Sequence, residues 1–266
     1  MILSLENIAK TYRSRTGRGD VEALKPVDLN IAAGSFVGLV GPSGCGKSTM
    51  LNIIAGLLTP STGRVLFEGR EMDGPSRDMG FMFQAPVLLP WRTVKKNVLL
   101  PAEVFGLPVA QWRGPADEAI EMVGLSEFSH ALPQQLSGGM QQRVALARVL
   151  TYKPKVLLMD EPFGALDEFT REAMNLELQR LIRPSGVTVI FVTHNISEAV
   201  FLSDLVVVMS PRPGRVVGTV EVPVQGEREI DFMREQQFTD LMFRVREMLK
   251  LGGPESQRTS NRAQVG

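Results

Sequence analysis

The stretch from residue 41 to residue 49, Gly-Pro-Ser-Gly-Cys-Gly-Lys-Ser-Thr, has the residue types of a phosphate-binding loop. Glycines let the backbone curl until several N–H groups point at one anion. Lys47 would neutralise nucleotide β- and γ-phosphate oxygens, and the Ser48 hydroxyl would ligate Mg²⁺. The alternative is a glycine-rich turn with an incidental lysine, but at an average glycine usage of about 7% this pattern arises on the order of once in a thousand such chains. The predicted nucleotide site comprises Gly41, Pro42, Ser43, Gly44, Cys45, Gly46, Lys47, Ser48 and Thr49.

Two adjacent carboxylates follow an apolar, strand-like segment at residues 156–159. Ligands of open α/β sheets bind at the carboxyl ends of the strands. Asp160 would hold the Mg²⁺ shell there, and Glu161 would polarise the attacking water, which is typically worth about 10² to 10⁴ in rate. The alternative is that both carboxylates are solvated and cap the next helix. The presence of a phosphate loop favours the catalytic interpretation.

A second candidate anion site is the segment Leu136, Ser137, Gly138, Gly139 and Met140, which precedes a helical pattern. Ser137 is a typical N-cap residue, and the two glycines would expose the N–H groups of the first turn. Taken alone, the segment predicts a simple helix cap as readily as an anion site. Its position between the phosphate loop and the carboxylates favours the anion site.

The surrounding elements predict an α/β fold. An apolar strand, Phe36–Val40, leads into the phosphate loop, and a helix over Lys47–Leu57 follows it. The second half of the chain alternates strands with helices, which is the rhythm of a mostly parallel sheet. Its predicted strands are Val156–Asp160, Val187–Thr193 and Leu205–Met209, and its predicted helices are Phe169–Ile182 and Ile196–Leu202.

Further segments surround this core. Leu3–Ile8 and Val27–Ile31 predict an antiparallel N-terminal sheet with an exposed hairpin tip at Arg13–Asp20. Residues 86–152 have a helical pattern and predict a helical subdomain inserted into the α/β core. Its short helices would be separated by Pro101, Gly106, Pro108, Gly114, Pro115 and Pro133.

The C-terminal part predicts an extension beyond one domain at residues 1–222. Arg215–Val222 has a strand pattern, and Ile230–Leu251 has the apolar spacing of a helix. We therefore expect a helical extension at residues 223–251. Residues 252–266 are polar and are expected to be a disordered tail.

The composition limits the choice of partners and compartment. The 266-residue chain has 29 Lys+Arg and 29 Asp+Glu residues, so no overall basic charge favours binding to nucleic acid. The single cysteine, Cys45, cannot form an internal disulfide, which together with the missing secretory signal indicates the cytoplasm. No apolar run approaches the ~18 to 20 residues that cross a bilayer. Any membrane function would therefore depend on a partner chain.

Together these motifs resemble the nucleotide-binding subunits of ABC transporters over about residues 1–220. The resemblance also includes Gln84, the Ala165-Leu166-Asp167 segment and His194, which follows the VIFVT strand. It implies a P-loop NTPase (RecA-like) core that binds ATP and Mg²⁺ and hydrolyses ATP. In that family two subunits face head to tail, and the signature helix of one closes over the ATP of the other. The resemblance thus implies a homodimer in which each site is shared.

Individual residues take roles from the resemblance. Tyr12 corresponds to the aromatic that stacks on adenine, and Gln84 to the glutamine that reaches Mg²⁺ and senses the membrane partner. Asp167 corresponds to the loop aspartate that links the two sites, and His194 to the γ-phosphate switch. Without the resemblance, His194 would be interpreted as a core histidine at a strand end and Tyr12 as an ordinary strand aromatic.

Met140 stands where the general family pattern has glutamine, but Ser137 and Gly139 are in place, so we expect the phosphate contacts to survive. Cys45, inside the phosphate loop, is interpreted as a small filler rather than a redox-active thiol.

The branch of the family is indicated by three further segments. They are Leu88–Val94 with Asn97 and Val98, Phe163–Asp167, and Asn195–Ala199, and they resemble importers of nitrate, sulfonates, taurine and related small ions. Such an importer implies permease subunits that dock near Gln84 and Leu88–Trp91, an external solute-binding protein, and a peripheral location on the cytoplasmic face of the inner membrane. Internal packing of the helical subdomain is an equally good interpretation of the Leu88–Trp91 segment.

Other classes of protein are less consistent with the sequence. A soluble, non-transport ABC ATPase acting on nucleic acid or ribosomes usually has two nucleotide domains or a long coiled coil, and neither pattern is found. A P-loop GTPase commonly has an Asn-Lys-x-Asp element, which is also missing. A kinase would not need the Leu136–Gly139 segment. An importer ATPase for a different small solute remains an open alternative.

Overall fold

The computed structural model describes residues 1–14, 19–223 and 228–252. These residues form two compact units, one made of Met1–Ser76 with the chain from Thr188 onward, and the other of Arg77–Val187. Part of the predicted hairpin tip and the predicted tail after Gly252 lie outside the described residues. We call the two units the first and the second unit.

The first unit contains the strand that leads into the phosphate loop. Strand β3 (Phe36–Val40) pairs in parallel with β8 (Thr188–Thr193) on one side and with β9 (Leu205–Met209) on the other. Strand β10 (Val216–Glu221) pairs antiparallel with β9. Every residue of β3 and β8 is buried, which is typical of parallel strands covered on both faces. The predicted, mostly parallel α/β arrangement is confirmed for these strands.

Three helices pack on this sheet. Helix α1 (Lys47–Ile54) contacts β8, and α7 (Ile196–Leu202) contacts β3. Helix α8 (Gln236–Leu251) buries Phe238, Leu241 and Val245 against α7, β9 and β10. The C-terminal extension is therefore part of the core of the first unit.

The prediction of one continuous helix over Ile230–Leu251 was wrong at Glu235. Ile230–Arg234 is a short 3₁₀ helix, and Glu235 is extended with φ −72° and ψ 145° before α8 begins. The interruption lets the rings of Phe232 and Phe238 meet edge to face with centroids 5.2 Å apart. Apolar spacing alone does not reveal such a break. Phe232 before it and Phe238 after it are both buried, as they would be in one continuous helix.

The first unit also contains the predicted antiparallel sheet. Strand β1 (Leu3–Tyr12) lies between β2 (Val21–Ile31) and β4 (Thr62–Phe67), and β5 (Arg70–Glu71) pairs with β4. Both predicted strands are longer than expected, and β4 and β5 were not predicted. β4 begins with three exposed residues, so its sequence lacks the alternating pattern that identifies a half-buried strand.

The second unit combines two parallel strands with most of the helices. Strand β6 (Met79–Met82), which was not predicted, pairs in register with β7 (Val156–Asp160). The helices are α2 (Val94–Val98), α3 (Leu100–Val104), α4 (Val109–Met122), α5 (Gly138–Leu150) and α6 (Glu168–Ile182), with 3₁₀ turns at Ser126–Phe128, Pro133–Gln135 and Arg183–Ser185. Helices α2 to α5 lie within the predicted helical range of residues 86–152, and the compact unit additionally takes in β6, β7 and α6.

The expectation that Gly114 and Pro115 separate two helices was wrong. Both lie inside α4. Proline in a helix interior removes a hydrogen bond and disfavours the helix. Here Ala116, Ala119 and Ile120 are buried, and α4 packs on α2 and α5. Tertiary packing has therefore overridden the local signal.

No helix in the described parts of the chain is both long and apolar enough to cross a membrane.

A buried arginine attaches the C-terminal extension to the parallel sheet. The Arg228 guanidinium donates to the carbonyls of Val200, Phe201 and Ser203, at 3.1, 2.7 and 2.9 Å, and so satisfies the C-terminal end of α7. It also lies 3.5 Å from a carboxylate oxygen of Asp204. The other carboxylate oxygen of Asp204 accepts from the N–H of Phe36 at the start of β3. Arg228 thus links the extension to the strand that leads into the phosphate loop.

Replacing this arginine should destabilise the protein strongly. We expect Arg228→Met to lower the free energy of unfolding by roughly 3 kcal/mol, because three carbonyls and Asp204 lose their buried partner. Arg234→Met, which removes an exposed ion pair to Asp231, should cost less than about 1 kcal/mol. Denaturant unfolding measures both values. Equal, small losses would contradict the proposed link.

Candidate functional site

The phosphate loop lies between β3 and the first turn of α1. Gly46 precedes the helix with φ 101°, a conformation that side chains disfavour. A Cβ at this position would lie 2.7 Å from Leu24 Cδ2 and 2.9 Å from the Ala23 carbonyl, so only glycine fits. Within the described residues, no side chain caps the N-terminus of α1. The first N–H groups of the helix are therefore suited to bind an anion.

Lys47 places a positive charge inside this loop. Its side chain is buried, and its ammonium donates to the carbonyls of Gly41 at 2.8 Å and Pro42 at 3.1 Å. The rim formed by Pro42, Ser43 and Gly44 is exposed. In this rim Ser43 and Gly44 offer backbone N–H groups, and a cation held below them can neutralise bound phosphate.

The predicted base-stacking residue lies beside the same loop. The Tyr12 hydroxyl is 3.4 Å from the Thr49 hydroxyl, so the end of β1 meets the start of α1. The ring is 42% exposed, with the ammonium of Lys10 5.4 Å from its centroid. An exposed ring at this position can stack on a base, although its orientation towards one stays a prediction.

Cys45 is buried inside the loop. A Cβ on Gly41 would lie 2.8 Å from the Cys45 sulfur, which shows that the thiol fills the interior of the curl. This position agrees with the interpretation of Cys45 as a filler. Burial of this kind is typical of an inert structural cysteine.

The predicted γ-phosphate residue, His194, lies at a rigid corner. It is exposed and follows β8 directly, so it is not a core histidine. The next residue, Asn195, donates through its N–H to the Thr193 hydroxyl at 3.0 Å, and its side chain caps α7 by accepting from the N–H groups of Ser197 and Glu198. The Thr193 hydroxyl also contacts a buried carboxylate oxygen of Glu198 at 2.5 Å. The backbone on both sides of His194 is therefore held in place.

In the second unit, the predicted carboxylates and Gln84 come together at the ends of β6 and β7. Asp160 ends β7, Glu161 follows it, and Gln84 lies two residues after β6. A Cβ at Gly164 would lie 3.5 Å from the Gln84 side-chain nitrogen and 3.7 Å from Glu161 Cβ. Gln84 and Glu161 thus border the same small glycine, in a region where α/β sheets bind ligands.

Glu161 has a strained backbone. Its φ is +44°, which is rare for a residue with a side chain, and its carbonyl accepts from the N–H of Gly164 at 3.1 Å. Such conformations cost of order 1–3 kcal/mol and cluster at functional sites. This conformation changes the direction of the chain directly after Asp160.

The predicted signature segment has the expected helix cap. Ser137 accepts from the N–H of Met140 at 3.3 Å, so it is the N-cap of α5. Leu136 is buried, whereas Ser137 and Gly138 are exposed. The cap is confirmed, and the role of these residues as an anion site stays a prediction.

Asp167 caps the neighbouring helix α6. Its carboxylate accepts from the N–H of Thr170 at 3.0 Å and from its hydroxyl at 2.7 Å, and the Thr170 hydroxyl above all lowers the pKa of Asp167. A Cβ on Gly139 would lie 3.1 Å from a Thr170 methyl carbon. The two capped helix starts are therefore close together. Phe169, in the same turn as Asp167, is 86% exposed.

Two polar residues of α5 were not predicted from the sequence. Gln142 donates to the backbone carbonyl of Gln84 at 2.8 Å. Arg148 donates to the carbonyls of Pro86 at 3.0 Å and Val87 at 2.8 Å. The available signal was the charge of Arg148 within the apolar run Val144–Leu150.

Comparisons with known proteins agree with this geometry. The family model described as "ABC transporter" matches residues 24–164. The chain is 46% identical to a taurine import ATP-binding protein, TauB, of Rhizobium johnstonii, over 83% of this chain and 84% of that one. It is 44% identical to the nitrate import ATP-binding protein NrtC of Synechococcus elongatus, over 91% of this chain but only 36% of NrtC.

A solved structure is also similar. It is a dimeric, post-hydrolysis state of the ATP-binding cassette MJ0796 bound to ADP and Pi, with a TM-score of 0.72 and 37% sequence identity. The match covers 84% of this chain and all of that one.

A glycine outside the matched range supports the phosphate loop. A Cβ on Gly214 would lie only 1.9 Å from the Cys45 carbonyl oxygen. We expect Gly214→Ala to displace the loop and weaken nucleotide binding by roughly tenfold, as overpacking costs about 1–3 kcal/mol. Titration with a fluorescent ATP analogue measures the affinity.

Gly218→Ala is the matched control on the next strand. There the added methyl group would meet only the flexible Met248 side chain, at 3.2 Å, and the affinity should change less than about twofold. Unchanged affinity in a folded Gly214→Ala protein would show that the loop tolerates the contact.

Proposed function

Because this chain belongs to the ABC transporter family, as an ATPase subunit, we propose that it energises uptake of a small anion or zwitterion through an importer. ATP-driven dimer closure and hydrolysis would be coupled to transport by the membrane partner. The observation that carries the ATP-binding part is the uncapped start of α1 with Lys47 buried in a glycine loop.

We assign the nucleotide contacts as follows. The loop N–H groups and Lys47 bind the phosphates, and Tyr12 stacks on the adenine. Mg²⁺ would be held by Ser48, Gln84 and Asp160, which supply a hydroxyl, an amide and a carboxylate. This donor set suits Mg²⁺, which prefers oxygen ligands and usually takes one or two carboxylates together with substrate phosphates.

Hydrolysis requires a base and a γ-phosphate contact. Glu161 is the proposed base: it would orient water and accept its proton as the water oxygen attacks the γ-phosphorus and the bond to the bridging oxygen breaks. The rigid corner around His194 suits it to contact the γ-phosphate and respond to its loss. Most of the rate would come from positioning and charge neutralisation, because phosphoryl transfer needs little covalent help.

The functional unit is proposed to be a homodimer. Ser137 and Gly138 are exposed at the N-terminus of α5, and they would close over the ATP of the partner subunit. Asp167 and the exposed Phe169 lie on the adjoining helix start and would contact the partner. The similar cassette MJ0796 is dimeric with ADP and Pi.

The segment after Gln84 is the proposed contact with the permease. Val87 and Trp91 are 55% and 73% exposed, and exposed apolar side chains four residues apart on one loop can anchor a protein interface. A peripheral location on the cytoplasmic face of the membrane and an external solute-binding protein follow from this assignment. The relatives named for nitrate and taurine import motivate the choice of substrate.

Two substitutions test the ATPase. Glu161→Gln should keep ATP binding, abolish turnover and favour an ATP-bound dimer, because the base is lost while the phosphate loop is intact. Lys47→Ala should weaken ATP binding itself. Phosphate release, nucleotide titration and size-exclusion chromatography separate these effects. Hydrolysis at the wild-type rate by Glu161→Gln would exclude Glu161 as the base.

The substrate is tested on the assembled transporter. The chain is purified with the membrane subunits that it binds, and its ATP hydrolysis is measured with nitrate, taurine or an alkanesulfonate plus the cognate binding protein. We expect one of these ions to stimulate hydrolysis several-fold and sulfate or an uncharged solute to have no effect. Stimulation only by an unrelated solute would refute the proposed substrate class.

A further inference from the structure

Side chains of helix α5 hold the loop that contains Gln84. We call residues 83–93 the docking loop; all of them are described, and they form neither helix nor strand. Three backbone carbonyls of this loop accept hydrogen bonds from α5. Gln142 donates to the carbonyl of residue 84, and Arg148 donates to those of residues 86 and 87. One helix therefore fixes the first half of the loop.

The backbone at the centre of these contacts is strained. Val87 has φ +46°, which is a genuine outlier for a β-branched residue. Its side chain is 55% exposed, so burial of that side chain does not explain the conformation. Strained conformations persist only where the surroundings over-determine them. Here the guanidinium of Arg148, bound to two successive carbonyls, supplies that constraint.

The second half of the docking loop is closed by Asn97. This side chain is fully buried; it accepts from the N–H of Leu89 at 2.8 Å and donates to the carbonyls of Leu89, Arg92 and Thr93. The loop is thus preorganised at both ends, with exposed Trp91 between the fixed points. The hydrogen bonds of Gln142 and Arg148 attach it to α5.

The chemistry of Arg148 suits it to this task. Burial lowers the pKa of Arg148, because the guanidinium is partly removed from water. Its charge therefore depends on hydrogen-bond acceptors of the protein. Charge-assisted hydrogen bonds of this kind are roughly twice as strong as neutral ones. A planar fork of donors can bind two neighbouring carbonyls at once, which the single ammonium of lysine does less well.

We propose that Arg148, assisted by Gln142, is a positioning residue that makes α5 and the docking loop move as one body. The opposite end of α5 is the Ser137 cap, about 16 Å away along the helix axis. Capture of ATP by the Ser137 end would thereby displace the docking loop and the membrane partner bound to it. This inference rests on the proposed function for the identity of the two ends.

The mechanical link is tested in the purified chain, in a Glu161→Gln background with and without ATP. Hydrogen exchange is followed by mass spectrometry in peptides from the docking loop and from β7. In Arg148→Met, we expect docking-loop amides to exchange at least about tenfold faster and no longer to respond to ATP, while β7 peptides are unchanged. Arg148→Lys should lie between the parent and Arg148→Met. Arg113→Met, on the exposed side of α4, is the matched control.

Exchange in Arg148→Met equal to that of the parent would overturn the proposal. So would an equal acceleration in β7, because it would show general destabilisation rather than release of one loop. The exchange measured without nucleotide is independent of the proposed function. A parent chain with no ATPase activity would refute the proposed function, and the change in exchange without nucleotide would still decide whether Arg148 holds the loop.

Coupling is tested in the complex with the membrane subunits. Arg148→Met should lower the stimulation by the membrane partner several-fold more than it lowers the basal ATPase of the isolated chain, because Arg148 binds the carbonyls of Pro86 and Val87 and not a nucleotide contact. Arg148→Lys should restore part of the stimulation. A parallel loss of basal and stimulated hydrolysis would show a general structural role and contradict the proposal.

Discussion

The structure depends above all on holding a lysine ammonium inside a loop made of backbone. Lys47 is buried and donates to two carbonyls of its own loop, and a buried charge is tolerated only when it is paired and hydrogen-bonded. The loop must therefore keep its shape before any phosphate arrives. The fully buried parallel strands β3 and β8 hold the chain where it enters the loop. The close approach of Gly214 to the Cys45 carbonyl supports the middle of the loop. The C-terminal extension adds Arg228, which joins α7 to the start of β3.

In the second unit, the structure holds exposed groups in fixed positions. The starts of α5 and α6 are capped by Ser137 and Asp167, and both lie where side chains must be small or polar. The polar residues of α5 then bind different neighbours: Gln141 donates to the carbonyls of Pro133 and Leu136, and Arg143 pairs with the carboxylate of Glu177 at 2.7 Å. Gln142 and Arg148 hold the docking loop. One helix thus connects the 3₁₀ turn at Pro133–Gln135, helix α6 and the docking loop.

Most of the regular elements could be predicted because their signals are local. The strand Phe36–Val40 and the helix Ile196–Leu202 have the predicted bounds, since a short apolar run and an Asn cap are visible in the sequence. β4 and β6 were missed because they are short, and β4 is largely exposed where it begins. At Gly114 and Pro115 the prediction of a helix boundary was wrong for the opposite reason. Both residues disfavour a helix locally, but the packing of α4 overrides that preference. The break at Glu235 is accompanied by the contact of two rings that are six residues apart, which apolar spacing does not reveal.

The sequence by itself determined the chemistry of this protein: a phosphate loop, a carboxylate pair and a capped glycine segment are each contiguous, so residue type and spacing suffice to identify them. Only the tertiary structure decided which residues support those motifs. Arg148 and Val87 are more than sixty residues apart, as are Gly214 and Cys45. Their contacts are made by side chains or backbone atoms that meet only after the strands and helices have packed, and such meetings leave no periodic or spacing signal along the chain.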